Sequence, residues 1–490
     1  MYKEDEEIDS HTLLQMWIGE GLVKSKQGTY LMDMAIGRKY LKLLVDRCLF
    51  QRVRERTDVF KQSTIKVHHC VRDMAVYIGQ KEENCSFMAS QRHQNFPQVH
   101  VENCSRISLA INSMDDLHTE LRCPKLASLT LEENQYFGEL PSEFLLGLTS
   151  LRVLNMSGCT SMASVPTSIG QLRMLEFLSL SGLRIKDLPE EICHLSGLQF
   201  LHLSSCTSLE SLPSKIGELK NLKHLNLDET TSLNMIPREI SELTSLSRLQ
   251  LCTDLSVEME APASIWSLKG LKNLTELEVW IKKWQDGERL RIKDGIMGTW
   301  SEMRHLSLIS LTDEMMEDLP QDMQNMKKLH SFRLWRYNGL SLPNCKFEHI
   351  EMVELYRCTY MKDLSCLEWL PNLKLLKLEC CSNLGELGIG SPGRVPSGYL
   401  MLQKLVLKDL EMLESLAGPS NTGVWDERTL PYLRVLKIRR CLSLKRFPNG
   451  MEKLSNLCAI IGYPVYWWKS VIWEDDNTKI KFEHLTTRCR

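Results

Sequence analysis

Beyond residue 100 the chain repeats one short apolar phrase, separated by longer stretches of mixed character. The phrase is L-x-x-L-x-L, seen at Leu198-Leu201-Leu203 and again at Leu222-Leu225-Leu227, Leu246-Leu249-Leu251, Leu373-Leu376-Leu378, Leu402-Leu405-Leu407 and Leu433-Leu436-Ile438. The alternation at its end predicts a short strand with leucines on one face. About fourteen strand starts follow, near Cys104, Leu126, Leu151, Leu175, Leu198, Leu222, Leu246, Leu274, Met303, Leu329, Ile350, Leu373, Leu402 and Leu433. From Leu151 to Leu246 they are 24, 23, 24 and 24 residues apart; elsewhere the spacing loosens to between 21 and 31, with insertions around Trp284–Trp300, Gly385–Tyr399 and Gly418–Glu427.

A second phrase, L-P-x-x-I-x-x-L, closes the regular units: Val165-Pro166 with Ile169 and Leu172, Leu188-Pro189 with Ile192 and Leu195, Leu212-Pro213 with Ile216 and Leu219, Ile236-Pro237 with Ile240 and Leu243, and in outline Phe447-Pro448 with Met451 and Leu454. Proline cannot pair as another strand and favours the start of a short helical turn, so the following apolar residues pack inward from the convex side. A period of this length with this pattern marks leucine-rich repeats. The predicted fold class is therefore α/β, a leucine-rich-repeat solenoid or horseshoe, preceded by a small, mainly helical, winged-helix-like domain.

That preceding region, residues 1–85, carries different periodicities. Leu13, Leu14, Trp17 and Ile18 predict a helix that stops at Gly21, and Tyr40, Leu41, Leu44 and Val45 predict a second. Phe50–Val53 and Ile65–Val67 read as strands around a charged turn, and Val67, Val71, Met74, Ala75 and Ile78 as an amphipathic helix. Helix, helix, hairpin, helix is a winged-helix order. The last helix carries Arg72 beside Asp73 and lacks the several phosphate-facing cations that nucleic-acid affinity requires. We read 86–103 as a linker, 104–457 as the repeats and 458–490 as a C-terminal cap, with Trp467, Trp468 and Trp473 covering the open end of the stack.

Side chains between the leucines face the concave surface, because strand side chains alternate. They give Phe177, Phe200, His202 and His224, then Asn226 and Asp228, then Glu276, Glu278 and Trp280, His305, Arg333, Trp335, Glu354 and Tyr356, and finally Lys377, Lys404, Lys408, Lys437 and Arg439. The face thus runs from aromatic through acidic to basic. Trp, Tyr and Arg are the commonest anchors of protein interfaces. The candidate protein-binding residues are Phe177, Phe200, His202, His224, Trp280, Arg333, Trp335, Tyr356, Lys377, Lys437 and Arg439.

A net charge of -2 gives no general case for a nucleic-acid or anionic-membrane partner, and no apolar run reaches the length of a membrane span. The acidic start, MYKEDEEIDS, lacks an apolar signal core, so a cytoplasmic location is expected. In that compartment the sequons at Asn103, Asn155 and Asn273 are chance matches. Of the 17 cysteines, Cys159, Cys206, Cys358, Cys381 and Cys441 each fall eight residues after the first apolar position of their repeat, where a thiol can bond the backbone of the turn. Structural thiols are expected there, and no metal ligand set.

Three segments resemble plant intracellular immune receptors in order. Met16-Trp17-Ile18-Gly19-Glu20-Gly21-Leu22 is similar to their L-W-x-A-E-G-F signature, Gly37 through Leu49 to G-x-x-Y-x-x-x-L-x-x-R-x-L, and Val67-His68-His69-Cys70-Val71-Arg72-Asp73-Met74-Ala75 to M-H-D-L-V-R-D-M-A. With the repeats that follow, the chain resembles the C-terminal part of a coiled-coil-type nucleotide-binding leucine-rich-repeat (NLR) disease-resistance protein. The resemblance implies that His68 is the histidine that contacts the β-phosphate of ADP when an upstream nucleotide domain is in place, and that His69 stands where the family has an aspartate that helps hold the closed form. It also implies an innate-immunity receptor for a protein ligand, either a pathogen effector or a guarded host protein, and as a further partner an NLR nucleotide-binding or coiled-coil domain.

The family's cofactor is ADP or ATP with magnesium, yet the sequence contains no G-x-x-x-x-G-K-[ST], so no cofactor is expected in this chain. Gly388 to Gly393 spells G-x-G-x-x-G, but Pro392 and the absence of a following helix pattern make it a chance match. A plain cytosolic scaffold or ubiquitin-ligase adaptor would need an F-box-like N-terminus, which Trp17–Ala75 does not resemble. No nucleophile–base or metal cluster has local support, so an enzyme is not expected.

Overall fold

In the computed structural model the described residues are 7–25, 29–54, 64–81, 87–89, 104–109, 123–233, 236–253, 268, 270–281, 300–309, 326–342, 347–389, 399–417, 423–463 and 471–472. The chain divides into two compact units, Met1–Leu274 and Thr275–Arg490.

The first unit opens with β1 (Ile8–Asp9) and α1 (Ser10–Gly19). The Asp9 carboxylate accepts the Thr12 amide at 2.8 Å and so starts the helix. Gly21, at φ +79°, stops it, with its amide and that of Leu22 closing on the carbonyls of Ile18 and Trp17. Then come α2 (Tyr30–Asp46), β2 (Phe50–Arg54), β3 (Thr64–Val67) and α3 (His69–Lys81). The expected helix, helix, hairpin, helix order is present. Sequence reading missed β1, which pairs antiparallel with β3 and turns the hairpin into a three-stranded sheet. Two residues are too few to show a period.

The ladder of this unit is β4 (Phe87–Ala89), β5 (Arg106–Ser108), β6 (Ser128–Thr130), β7 (Val153–Asn155), β8 (Phe177–Ser179), β9 (Phe200–His202), β10 (His224–Leu227) and β11 (Arg248–Thr253), each parallel to the next. Register is strict: Leu178, Leu201, Leu225 and Leu249 lie side by side, all fully buried. Between strands, Pro166, Pro189 and Pro237 immediately precede 3₁₀ turns, while in the Pro213 repeat the turn begins three residues later, at Ile216. These turns bury Ile169, Ile192, Ile216 and Ile240 against the same leucine stack. Each such isoleucine contributes about 1.5–3 kcal/mol of apolar burial. The convex phrase therefore does what its spacing predicts. In the repeat of Leu126 the segment after Pro141 is instead a short α-helix, α4 (Ser142–Leu146), burying Phe144 and Leu145.

The second unit continues the pattern in β12 (Glu276–Ile281), β13 (His305–Ile309), β14 (Ser331–Trp335), β15 (Met352–Tyr356), β16 (Leu375–Glu379), β17 (Lys404–Lys408), β18 (Val435–Arg439) and β19 (Ala459–Tyr463), again all parallel. Two strands carry no leucine phrase and escaped the sequence count: β4, in the segment read as linker, and β19, at the start of the segment read as cap. Residues 390–393 of the glycine motif, and Trp467, Trp468 and Trp473, lie outside the described residues.

Several of the turns leaving the strands are closed by the preceding repeat. The thiols of Cys159 and Cys206 donate to the carbonyls of Leu131 and Leu180, both at 3.1 Å, and those of Cys358 and Cys381 lie 3.9 and 3.8 Å from the carbonyls of Leu334 and Leu355. At the equivalent position Asn134 donates to Leu109 and Leu131 at 2.7 Å. Burial pushes the Cys159 thiol up to about 12, and those of Cys206 and Cys441 to about 11, so none is a thiolate at neutral pH.

Candidate functional site

The side chains between the leucines do reach the second face of each ladder, as the alternation requires. The two units use that face differently.

In the first unit α1 covers it. Val153, Phe177 and Phe200 form one apolar core with Leu13, Leu14, Met16 and Ile18 of α1 and Tyr30 and Met34 of α2. Gly19 permits this approach: a Cβ there would stand 3.1 Å from Phe177 Cβ and 3.3 Å from a Val153 methyl. At the rim, Glu20 pairs with Arg106 at 2.9 Å, and the Arg152 guanidinium lies against Gly21 while pairing with Glu176. Phe177, Phe200, His202 and His224, expected on an open surface, are therefore buried beneath a helix of the same chain.

The polar centre of that contact is a histidine cluster. His202 Nε2 donates to Gln15 Oε1 at 2.7 Å, Gln15 Nε2 donates to His224 Nδ1 at 2.6 Å, and His224 Nε2 donates to Gln250 Oε1 at 3.2 Å. One neutral tautomer of each ring satisfies the whole chain of bonds. His11 of α1 meets the Tyr30 hydroxyl at 2.8 Å and accepts from Arg248 Nη1 at 3.2 Å. Burial lowers all three imidazoles, His202 to about 3, and the adjacent Arg248 charge adds to the shift in each. His11, Gln15, Tyr30 and Arg248 were absent from the residues singled out in the sequence.

In the second unit the middle row of the face contains Arg333, Glu354 and Lys377 in neighbouring register. Arg333 Nε and Nη2 converge on Glu354 Oε2 at 2.9 and 2.6 Å, with Glu278 4.0 Å away; the side chains of Arg333 and Glu354 are 2% and 1% exposed, so this pair is part of the framework rather than a free contact. Trp335 stacks on Tyr356 with ring centres 5.2 Å apart, and Lys377 lies over the other ring at 4.5 Å while bonding its hydroxyl at 2.5 Å. Burial lowers Lys377, offset by Glu354 and Glu379, and raises Tyr356. Lys408 pairs with Glu379, Lys437 is half-buried and Arg439 is exposed. The side chain of Trp280 lies outside the described part of the structure; its backbone pairs with Ile309.

His68 and His69 are both exposed at the start of α3, their rings stacked with centres 4.4 Å apart. His68 Nδ1 accepts the Cys70 amide at 3.3 Å.

Strand ladders with turns closed by buried Asn or Cys, and with 3₁₀ turns behind, define a leucine-rich-repeat protein. The chain belongs to the leucine-rich-repeat family, whose model, described as a leucine-rich repeat region, matches residues 125–393. Residues 1–75 match the winged helix domain of disease resistance proteins. Disease resistance protein RPS5 of Arabidopsis thaliana is 26% identical over 98% of this chain and 52% of its own length. A second Arabidopsis protein, disease resistance protein RFL1, is 31% identical over 40% of this chain and 22% of its own. The chain spans about half the length of the curated relatives it matches along most of its length. Among solved structures, a leucine-rich-repeat protein of Leptospira interrogans is similar with a TM-score of 0.48 and 20% identity, covering 81% of this chain and 92% of that one. The winged-helix and leucine-rich-repeat organisation is thus that of plant NLR disease resistance proteins. Among the described residues no helix is long and apolar enough to cross a membrane.

Proposed function

We propose that the chain serves in plant defence by recognising a protein ligand through the second face of its second unit. One observation carries this reading: half-buried Trp335, stacked on the buried Tyr356 beneath Lys377, shares its face with Lys437 and exposed Arg439 three strands further on, so aromatic area and cationic donors, the composition that anchors protein interfaces, lie along one surface. The equivalent face of the first unit is already filled by α1. The ligand is a pathogen effector or a guarded host protein, and binding shifts an NLR switch through energetic coupling between two sites. In this reading His68 meets a nucleotide phosphate only when a nucleotide-binding module is also present.

The test is a pairwise interaction screen of the full chain against secreted pathogen proteins, repeated with Trp335→Ala and with Arg439→Glu. An interactor that binds the parent chain and loses at least about tenfold in affinity with either substitution supports the reading, since interface anchors are worth about 2 kcal/mol or more. Interactors that bind both variants as well as the parent would overturn it.

A further inference from the structure

The contact between α1 and the ladder of the first unit is built around ionisable groups of one sign. His11 comes from α1, His202 from β9, His224 from β10 and Arg248 from β11. The ring centres of His202 and His224 are 4.9 Å apart, and those of His11 and His224 are 5.7 Å apart. Arg248 Nη1 stands 3.2 Å from His11 Nε2. All four side chains are buried, and two of the contacts need a neutral ring: His224 Nδ1 accepts from Gln15 Nε2, and His11 Nε2 accepts from Arg248. A proton added to any ring has to sit beside the Arg248 charge in a site without bulk water.

We propose that the seating of α1 on the ladder is proton-sensitive: uncharged histidines hold it at neutral pH, and acidification through the range where a free imidazole titrates releases the helix. The inference rests on the first unit alone and does not depend on what the second unit recognises.

The sign follows from linkage. Burial, then neighbouring positive charge, lowers these imidazoles when α1 is seated, His202 to about 3. Once α1 leaves, the rings meet water and return to about 6.5. The released state then binds more protons, so seating is complete above about pH 6.5 and is lost as pH falls below it. Between pH 7.5 and 5.5 the seating equilibrium falls about tenfold for each histidine that becomes accessible.

Other groups face the cluster. From α2, the Tyr30 hydroxyl bonds His11 and Arg38 adds positive charge. From the sheet, Gln250 bonds His224. At the helix start Asp9 interacts with Arg248, and burial raises its carboxyl. A raised carboxyl gains a proton more easily in the seated state and so works against release. Asp9→Asn removes this opposing group and keeps the cap.

The experiment is hydrogen–deuterium exchange of the full chain at pH 7.5, 6.5 and 5.5, with labelling times scaled for the intrinsic pH dependence of amide exchange. We expect amides of Leu13–Gly19 to lose protection between pH 7.5 and 5.5 while those of Leu178, Leu201 and Leu225 keep theirs. His202→Gln combined with His224→Gln should flatten the response. Arg248→Met, which removes the fixed charge, should move the midpoint to lower pH and keeps the proposal testable if the double variant does not fold. Asp9→Asn should make release sharper. Unchanged protection of α1 at pH 5.5 overturns the proposal, as does simultaneous loss in helix and ladder, or an Arg248→Met midpoint that does not move.

Discussion

Gln15 Nε2 lies 2.6 Å from His224 Nδ1, joining the first helix to a repeat strand 209 residues away. The same amide accepts from His202 Nε2 at 2.7 Å, so one side chain bridges two rings. Gln15→Glu would place a carboxylate between them. Its charge favours the protonated rings, so their seated pKa values rise above the free value, and the stability they add is present below about pH 6.5 and fades as pH climbs through the raised values. The pH dependence of α1 protection should therefore reverse in sign relative to the parent chain. Exchange that still weakens on acidification in this variant would count against the bridging role.

Arg333 and Glu354 make the opposite kind of contact, two full charges buried together. Arg333→Ala strands the Glu354 carboxylate, and we expect a loss of about 3–5 kcal/mol in urea unfolding. The paired replacement Arg333→Leu with Glu354→Leu should recover most of that loss, because the cost lies in the unpaired charge. Equal destabilisation by the single and double changes would mean that shape, not charge, is decisive.

Gly217 sits in a 3₁₀ turn where an added Cβ would lie 2.5 Å from the Glu239 carbonyl of the next repeat. Backbone must move to admit it. Gly217→Ala should cost about 1–3 kcal/mol, read as a lower unfolding midpoint. Gly138, whose Cβ would meet nothing within 4 Å, provides the contrast: Gly138→Ala should stay within about 0.5 kcal/mol.

The thiols divide by exposure. Iodoacetamide at pH 8 should modify Cys48, Cys70 and Cys458, which are exposed, and spare Cys159, Cys206 and Cys441 until the chain is denatured. Mass spectrometry of peptides from native and unfolded protein reads this directly. Labelling of Cys206 in the native chain would contradict its burial.

The repeats were legible because leucines at a near-constant spacing admit one packing, and the buried thiols because their offset within the repeat is constant. Alternation likewise places Arg333, Trp335 and Tyr356 on one face of the second unit, but it could not show that Arg333 and Tyr356, expected on an open surface, are buried by the side chains of neighbouring strands. What pattern could not supply was the cover over Phe177, Phe200, His202 and His224. Leu13, Leu14 and Ile18 read equally well as the core of a small helical domain, and nothing local says which surface they meet. A signal was present nonetheless. Two phenylalanines on adjacent strands, on the face away from the core, would leave an apolar patch that a monomer rarely exposes. His11 and Gln15, polar residues that are buried in α1, gave no such hint, because Arg248, His202 and His224, which they meet, lie on distant strands.

The thiol of Cys206 completes the turn of its own repeat by reaching back to Leu180 in the one before. The same join recurs at Cys159, and at Asn134 with an amide in place of the thiol. Three junctions of the first unit are thus closed by the same kind of bond, like matching couplings between wagons. Duplicating the 24-residue period Leu198–Asn221 would set a second copy of the Cys206 thiol opposite the Leu203 carbonyl, the equivalent of Leu180, whereas inserting a fraction of a period would leave a donor and a carbonyl unmatched. Length can therefore grow by whole periods, each burying its leucines on its neighbour, without a new core.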